Sequence, residues 1–432
     1  METRLPIPPD LPASMSAPTL WYVNHYASGP GVGRHHRSFE LGRAWQAAGA
    51  RVVVIAAAFH HLLDVPNRLK GAHEISGVPY AFLATPSYAG NGLARVVNMG
   101  AFSLQLLRHA AALARRYGTP DMIVGSSPHP YVFPATHRLA RRFGALSVFE
   151  VRDLWPLSLI ELAGVNPKHP LVRLTDRLER YAYRRADAVV SLLPNTQAYM
   201  QARGLDPARW HYIPNGVGVT AALPPDCPSP ACVQAQQWRA QGKCVVVYAG
   251  ALGVPNHVSS LVNALAVLRA RGDDRIVAVI VGKGEETQRL QALVHEAQLQ
   301  DRVAFYPQTP KEGVFTLLRH ADAGYISLRP EPLFRFGVSP NKLFDYMLAR
   351  LPVVFAIEAG NDPVRDHGCG YSVAPGNGPQ IADALAALAS LPATERQAMG
   401  ERGFQYVQQE HSYPLLAARY LRILAARQQG QP

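Results

Sequence analysis

The sequence predicts an α/β protein built from two doubly wound parallel sheets in tandem, which face each other across an interdomain cleft. Three observations carry this. The chain has 432 residues, too many for one ordinary core and suited to two domains of ~200 residues each. Short β-branched runs alternate with longer amphipathic stretches, the pattern of strands joined by crossover helices. The alternation breaks once, in AALPPDCPSPACVQA at 221–235, and then restarts.

The first half reads as strands at Thr19–Val23, Arg51–Ala57, Tyr80–Leu83, Met122–Val124, Leu146–Val151, Ala188–Leu192 and Trp210–Ile213. Helical patterns between them cover His35–Ala48, Gly92–Tyr117, Pro134–Phe143 and Leu171–Arg185. The proline-rich break cannot sustain a helix or a central strand. Strands then return at Cys244–Ala249, Ile276–Val281, Val303–Tyr306, Ala323–Ser327, Val353–Ala356 and Tyr371–Val373, and a long helical stretch from Ala393 to about Arg427 closes the chain. The expected division is a disordered lead-in at 1–17, a first domain at 18–213, a linker at 214–243, a second domain at 244–400, and a C-terminal helix and tail at 401–432 that crosses back to the first domain.

Composition narrows the function. The longest strongly apolar run, Val52 to Phe59, has eight residues where a spanning helix needs ~20. The first residues lack the basic start and apolar core of a signal peptide. Four cysteines without CxxC spacing read as free thiols in a reducing cytoplasm. Residues 1–213 carry 23 Lys and Arg against 13 Asp and Glu, whereas 214–432 carry 20 against 18. The basic half suits an anionic partner such as a phosphate-bearing substrate or an acidic membrane surface. Solvated arginine faces explain the charge as well as a membrane does. Basic and aromatic residues fall within helical patterns rather than interleaving on one surface, so nucleic acid is not an expected partner.

Five motifs carry the candidate site. Ser28-Gly29-Pro30-Gly31-Val32-Gly33-Arg34 follows the first strand, and Gly29, Gly31, Gly33 and Arg34 read as an acceptor or phosphate loop. The spacing is GxGxG, not the GxGxxG of a dinucleotide site. His129, just past the Met122 strand, and Asp153, in Glu150-Val151-Arg152-Asp153-Leu154-Trp155, lie at strand carboxyl ends where ligands of such sheets bind. Arg152 and Asp153 also read as a simple ion pair. Gly250 and Gly253 form a second glycine turn, and Lys283 a third, for close approach of backbone to a nucleotide phosphate.

The segment Ser339-Pro340-Asn341-Lys342-Leu343-Phe344-Asp345 is the most informative. Pro340 suits a first helical turn and Ser339 its cap. Lys342 offers a cation to a diphosphate. Asp345, one turn further on the same face, offers a carboxylate to a ribose diol. There is no Asp-x-Asp, HExxH or acidic cluster, so neither a metal nor a cofactor is expected.

Together GPGVGRHHRSFELGR, EVRDLWPLSLIELAG, ADAVVSLLPNTQAYM, HYIPNGV, YAGALG and SPNKLFDYMLARLPVV resemble glycosyltransferase family 4, the retaining group with the GT-B fold of two Rossmann-like domains. Within it the chain looks closest to bacterial polysaccharide enzymes resembling L-fucosamine transferases. The resemblance implies a nucleotide-sugar donor held by the second domain, with UDP expected ahead of GDP. It implies a saccharide or lipid-linked acceptor held by the first domain, and action in the cytoplasm or at the inner membrane face. His129 matches a His that contacts the transferred sugar. Asp345 matches the second Glu of the family's E-x7-E motif, whereas the first Glu falls on Gly337, so amides at Val338 to Asn341 are expected to serve there. Relatives carry a basic residue shortly after the YAGALG-type loop. Here that region is Val254-Pro255-Asn256-His257, and Lys283 or Lys342 would supply the charge. A sugar-nucleotide 2-epimerase shares this fold, but would need cleft carboxylates that are sparse here.

Overall fold

A computed structural model describes residues 17–33, 35–64, 69–90, 92–218 and 229–429. The described residues form two compact units, one drawn from 17–215 and 413–429 and the other from 216–412. The lead-in expected at 1–17 falls almost wholly outside the described residues.

The first unit contains an eight-stranded sheet. Its strands are β1 (Thr19–Asn24), β2 (Arg51–Ala57), β3 (Gly71–Ile75), β4 (Val78–Leu83), β5 (Met122–Ser126), β6 (Leu146–Val151), β7 (Ala188–Ser191) and β8 (Trp210–Tyr212), in the spatial order β3-β4-β2-β1-β5-β6-β7-β8. All neighbours are parallel except β3, which pairs antiparallel with β4. That edge hairpin departs from the all-parallel expectation. GAHEI is largely exposed and lacks the apolar run of a buried parallel strand.

The second unit contains β9 (Cys244–Ala249), β10 (Ile276–Val281), β11 (Val303–Tyr306), β12 (Ala323–Ser327), β13 (Val353–Ala356) and β14 (Gly370–Ser372), all parallel, in the order β11-β10-β9-β12-β13-β14. Runs such as Ile276–Val281 are buried throughout, as a sheet covered on both faces requires. The direction of strand progression reverses between β1 and β5 in one sheet and between β9 and β12 in the other. Such switch points open a crevice beyond the strand ends.

Two sequence expectations are corrected. Within the span read as linker, Pro230–Ala240 is a helix. Ser229 Oγ accepts from the Cys232 amide, Pro230 occupies the first turn, and Ala231, Cys232, Ala235 and Trp238 are buried. Proline at that position costs nothing because its missing N–H would be unbonded anyway. The closing helical stretch is two helices, Ala393–Glu410 and Tyr413–Gln428. At the break Ser412 bridges Val217 and the Val217 amide donates to the His411 carbonyl.

The helix Tyr413–Gln428 packs on the helix Arg37–Ala47, where Trp45 Nε1 donates to the Ala417 carbonyl at 3.1 Å. Beneath them lies a buried polar knot. The Glu150 carboxylate takes Arg37 at 3.0 Å, Tyr22 and Ser126 hydroxyls at 2.7 Å each, and the Tyr420 hydroxyl. Burial would lift the Glu150 pKa; Arg37, Arg152 and the tyrosine hydroxyls outweigh it and bring it down to about 2. A fully partnered carboxylate of this kind is inexpensive to bury, whereas a half-partnered one is not.

Candidate active site

In the second unit the βα loops after β9 and β10 interlock by backbone. The Gly250 amide donates to the Val281 carbonyl at 2.9 Å, and the Leu252 amide to the Lys283 carbonyl at 3.0 Å. A Cβ on Gly282 would stand 1.9 Å from the Gly250 carbonyl oxygen, so only glycine lets the loops meet. Gly253 opens the short turn Val254–Asn256. The Lys283 side chain is exposed.

Across the switch point, the helix Asn341–Leu348 sends Lys342 back onto this loop. Its Nζ donates to Tyr248 Oη at 2.8 Å and Asn256 Oδ1 at 2.7 Å. It lies 4.5 Å from the Tyr248 ring centroid and would be 3.1 Å from a Cβ on Gly250. Burial without a carboxylate partner lowers its pKa to about 7. Asn256, within the segment where relatives carry their basic residue, thus holds the Lys342 ammonium there.

The rest of the segment differs from expectation. Pro340, not Ser339, is the N-cap residue, and no side chain caps the helix. Half-buried Ser339 and exposed Asn341 flank it. The Val338 amide, expected to face a ligand, donates to Asn361 Oδ1 at 2.7 Å, while Asn361 Nδ2 donates back to the Val338 carbonyl at 3.1 Å. Gly337 has φ +98°, a conformation that the Glu of the family motif would adopt only under strain. Asp345 pairs with Lys311 at 3.0 Å. The carboxylate remains partly open, its side chain 18% exposed.

In the first unit the switch point brings together two strand ends. Asn24 Nδ2 donates to Ser126 Oγ at 2.7 Å and the Ser127 carbonyl at 2.9 Å. This sets His25 beside His129, with Nδ1 3.1 Å from His129 Nε2. His25 Nε2 in turn lies 2.5 Å from Asn98 Oδ1. His129 is 1% exposed and burial drops its pKa to about 3. Its Nδ1 has no hydrogen-bond partner. His25 and Asn98 escape the sequence reading because neither stands in a motif.

Asp153 follows β6 and is exposed, while its neighbour Trp155 is half-buried. Among the described residues no ion pair joins Arg152 to Asp153. The glycine loop has packing reasons for its residues. A Cβ on Gly33 would meet the Leu62 carbonyl at 2.5 Å, and one on Gly29 would meet Ile75 at 3.0 Å. Gly31 is open and Arg34 lies outside the described residues. Arg37, in the same basic cluster, is spent on Glu150.

Among the described residues no three His, Cys, Asp or Glu side chains cluster to hold a metal ion, and no helix is long and apolar enough to cross a membrane.

Comparison with known proteins agrees with this architecture. Residues 32–216 match the model of a glycosyl transferase 4-like domain, and 243–390 that of glycosyl transferases group 1. The chain is 24% identical over 329 residues to the probable glycosyltransferase WbjE of Pseudomonas aeruginosa, covering 74% of this chain and 78% of that one. It is 22% identical over 258 residues to a putative colanic acid biosynthesis glycosyl transferase, WcaI, of Escherichia coli, covering 59% and 61%. In fold it resembles the sucrose-phosphate synthase of Thermosynechococcus elongatus (TM-score 0.71, 18% identity, 95% of this chain and 100% of that one). It also resembles HepE of Anabaena in complex with UDP and glucose (TM-score 0.66, 16% identity, 94% and 99%). With both units matched in order and the GT-B fold shared, the chain belongs to glycosyltransferase family 4 and is a glycosyltransferase.

Proposed function

We propose that this glycosyltransferase moves a sugar, with retention of anomeric configuration, from a nucleotide-sugar donor to a saccharide or lipid-linked acceptor in cell-surface polysaccharide synthesis. The observation that carries the donor assignment is the Lys342 ammonium. It is half-buried against a glycine turn at a sheet switch point and, among the described residues, donates to neutral oxygens. A diphosphate laid over Gly250 and Gly253 would take that charge, and with it the negative charge that develops on the leaving group. Asp345 would bind the ribose, exchanging part of its contact with Lys311. The structures of HepE with UDP and with UDP-glucose support a UDP-linked donor.

The lack of an Asp-x-Asp pattern favours lysine and backbone amides over a metal ion as the electrophilic partner. No protein nucleophile is assigned: the departing diphosphate helps deprotonate the acceptor hydroxyl, and the enzyme orients the two substrates. His129 and Asp153 would meet the sugars on the first unit. The family matches do not favour the epimerase of the same fold.

For the acceptor side, the helix Leu93–Tyr117 exposes Leu93, Val97 and Leu104 together with Arg108, Arg115 and Arg116. That mixture suits peripheral contact with an anionic membrane face.

A thermal-shift panel of UDP, GDP, ADP and their sugars tests the donor site. At least one should stabilise the protein, and Asp345→Ala should weaken that effect. No stabilisation by any of them would reject the donor site. His129→Ala should lower turnover more than nucleotide affinity; unchanged turnover removes His129 from the site.

A further inference from the structure

We propose that a groove on the first unit binds the phosphate end of a lipid, with Arg173 and Arg177 holding the phosphate or diphosphate and an aliphatic wall holding the start of the chain. The occupant is the lipid carrier of the acceptor, so the inference rests on the reading of this unit as the acceptor side.

The cavity measures about 370 Å³, within the usual range of small-molecule sites. It begins at Pro156, three residues after Asp153, and runs between the helices Leu157–Glu161, Pro170–Arg185 and Gln197–Ala202. Pro156, Leu157, Ile160, Pro167 and Val172 give it aliphatic surface. The helix Leu157–Glu161, LSLIE, holds three aliphatic residues, yet none of its residues is buried. Its apolar face is left for something other than the core.

The charges around the cavity divide into engaged and available. Asp176 takes Arg180 at 2.9 Å and also Arg203, and Arg203 Nε donates to Glu179 at 2.6 Å. The Arg203 guanidinium lies 4.9 Å from the centre of the Tyr199 ring. Arg173 and Arg177 are exposed and, among the described residues, enter no ion pair. Four residues apart, they project from one face of the helix, where both reach one diphosphate. Arg173 is a cation close to the helix N-terminus, and no acidic residue in the first turn offsets it. The helix dipole disfavours that placement and a bound anion relieves it.

This pattern selects among ligands. Among the lining residues a bare saccharide meets no unengaged carboxylate, and Arg203 lies against the aromatic ring. A hydrocarbon chain ending in phosphate uses what is available: its chain leaves water against the aliphatic wall, and its oxygens match two guanidinium forks. The surroundings agree. Leu162 and Leu174, 49% and 46% exposed, follow the lining residues Ile160 and Arg173 closely in the chain. Tyr131 ties the helix Pro170–Arg185 to the helix Leu93–Tyr117, its hydroxyl 2.6 Å from Thr175 Oγ1 and its carbonyl accepting from Ser103 Oγ at 3.1 Å. The groove thus neighbours the helix whose leucines and arginines suit a membrane face, into which a lipid tail would continue.

The test uses the full chain and farnesyl diphosphate, a soluble prenyl diphosphate, in titration calorimetry. Inorganic pyrophosphate and farnesol carry the two halves of that probe. Farnesyl diphosphate should bind at least about ten-fold tighter than either half. Arg173→Gln and Arg177→Gln should each weaken it by about ten-fold, and together by about a hundred-fold. Both variants should keep the wild-type melting temperature and the nucleotide-sugar shift, so that lost binding reports the groove alone.

Farnesyl diphosphate binding that survives in the double variant overturns the groove but leaves a lipid-linked acceptor in place. No binding at all overturns the groove and the lipid-linked acceptor together, while the donor panel still stands on its own result. Pyrophosphate that binds as tightly as farnesyl diphosphate reduces the groove to an anion site and refutes the lipid. Vesicles of phosphatidylcholine with and without phosphatidylglycerol form the last arm. If the double variant loses vesicle binding that farnesyl diphosphate does not compete away, the arginines read membrane phospholipid and the proposal fails.

Discussion

Replacing Lys342 with methionine keeps the stem that fills the space under Gly250 and deletes the charge. The unliganded lysine has its pKa lowered to about 7 by burial beside Tyr248 and Asn256. A nucleotide sugar carries a diphosphate diester that stays fully ionised from about pH 6 to 8.5, so any change in its affinity over that range reports the protein. Binding an anion favours charged lysine, and the free protein must take up that proton once the pH exceeds 7. Affinity should therefore fall as pH rises, by about ten-fold between the acidic limit and pH 8. In Lys342→Met a charge-assisted contact of about 1.5–3 kcal/mol is lost, roughly ten- to a hundred-fold in Kd, and the pH slope should vanish with it. Titration calorimetry with UDP-glucose or the best binder of the panel measures both. A wild-type Kd that is flat across this range, or a variant that binds as wild type does, refutes the assignment of Lys342 to the diphosphate.

Other outcomes rest on the same structure. Glu150→Gln strands Arg37 in the core and should cost about 3–5 kcal/mol, read from the urea midpoint; a loss under about 1 kcal/mol would show the buried knot contributes little. Acid should destabilise the protein in two stages. His35, His60 and His129 have folded pKa values of about 3 against 6.5 unfolded. The unfolded chain thus binds protons first, and stability falls as pH drops below 6.5, by about 2 kcal/mol per histidine at pH 5. Glu150, at about 2 against 4.5, stabilises fully above 4.5 and loses that contribution as pH falls through 4.5 toward 2. A Tm unchanged from about pH 7.5 to 5 would contradict the first stage. Gly337→Glu restores the family's carboxylate at a backbone with φ +98°. It should cost about 1–2 kcal/mol without tightening donor binding, and a stable, tighter-binding variant would contradict this.

The sheets are legible in the sequence because buried parallel strands leave a local signature. Ile276–Val281 and Arg51–Ala57 are readable to the residue, since a β-branched run between helical patterns has few alternatives. The hairpin strand β3 is not, because an exposed edge imposes no apolar pattern. The helix Pro230–Ala240 is hidden by its own start signal. Serine and proline there both open a helix and break one, and only the apolar face on Ala231, Ala235 and Trp238 decides between the two.

The site is legible as loops but not as partners. Lys342 and Asp345 stand out as a cation and a carboxylate on one face near a helix start, but spacing does not say what each of them contacts. Tertiary surroundings decide it: Tyr248 and Asn256 lie 94 and 86 residues upstream of Lys342, and Asp345 finds Lys311. Arg37 shows the converse. Its sequence neighbours form a basic cluster suited to an anion, but Glu150, 113 residues on, consumes its charge inside the core. In both units the residues that matter sit at the ends of strands adjacent in space and remote in sequence, as a switch point dictates. His25 and His129 are 104 residues apart. A motif can mark each strand end, because its glycines and prolines answer to local backbone geometry. How the His25–His129 pair is held depends in turn on Asn98, a helix residue with no motif, whose amide is oriented by the carbonyls of Pro86 and Phe59. Proton placement is thus a property of the assembled crevice, and only hydrogen bonds across it can assign that proton.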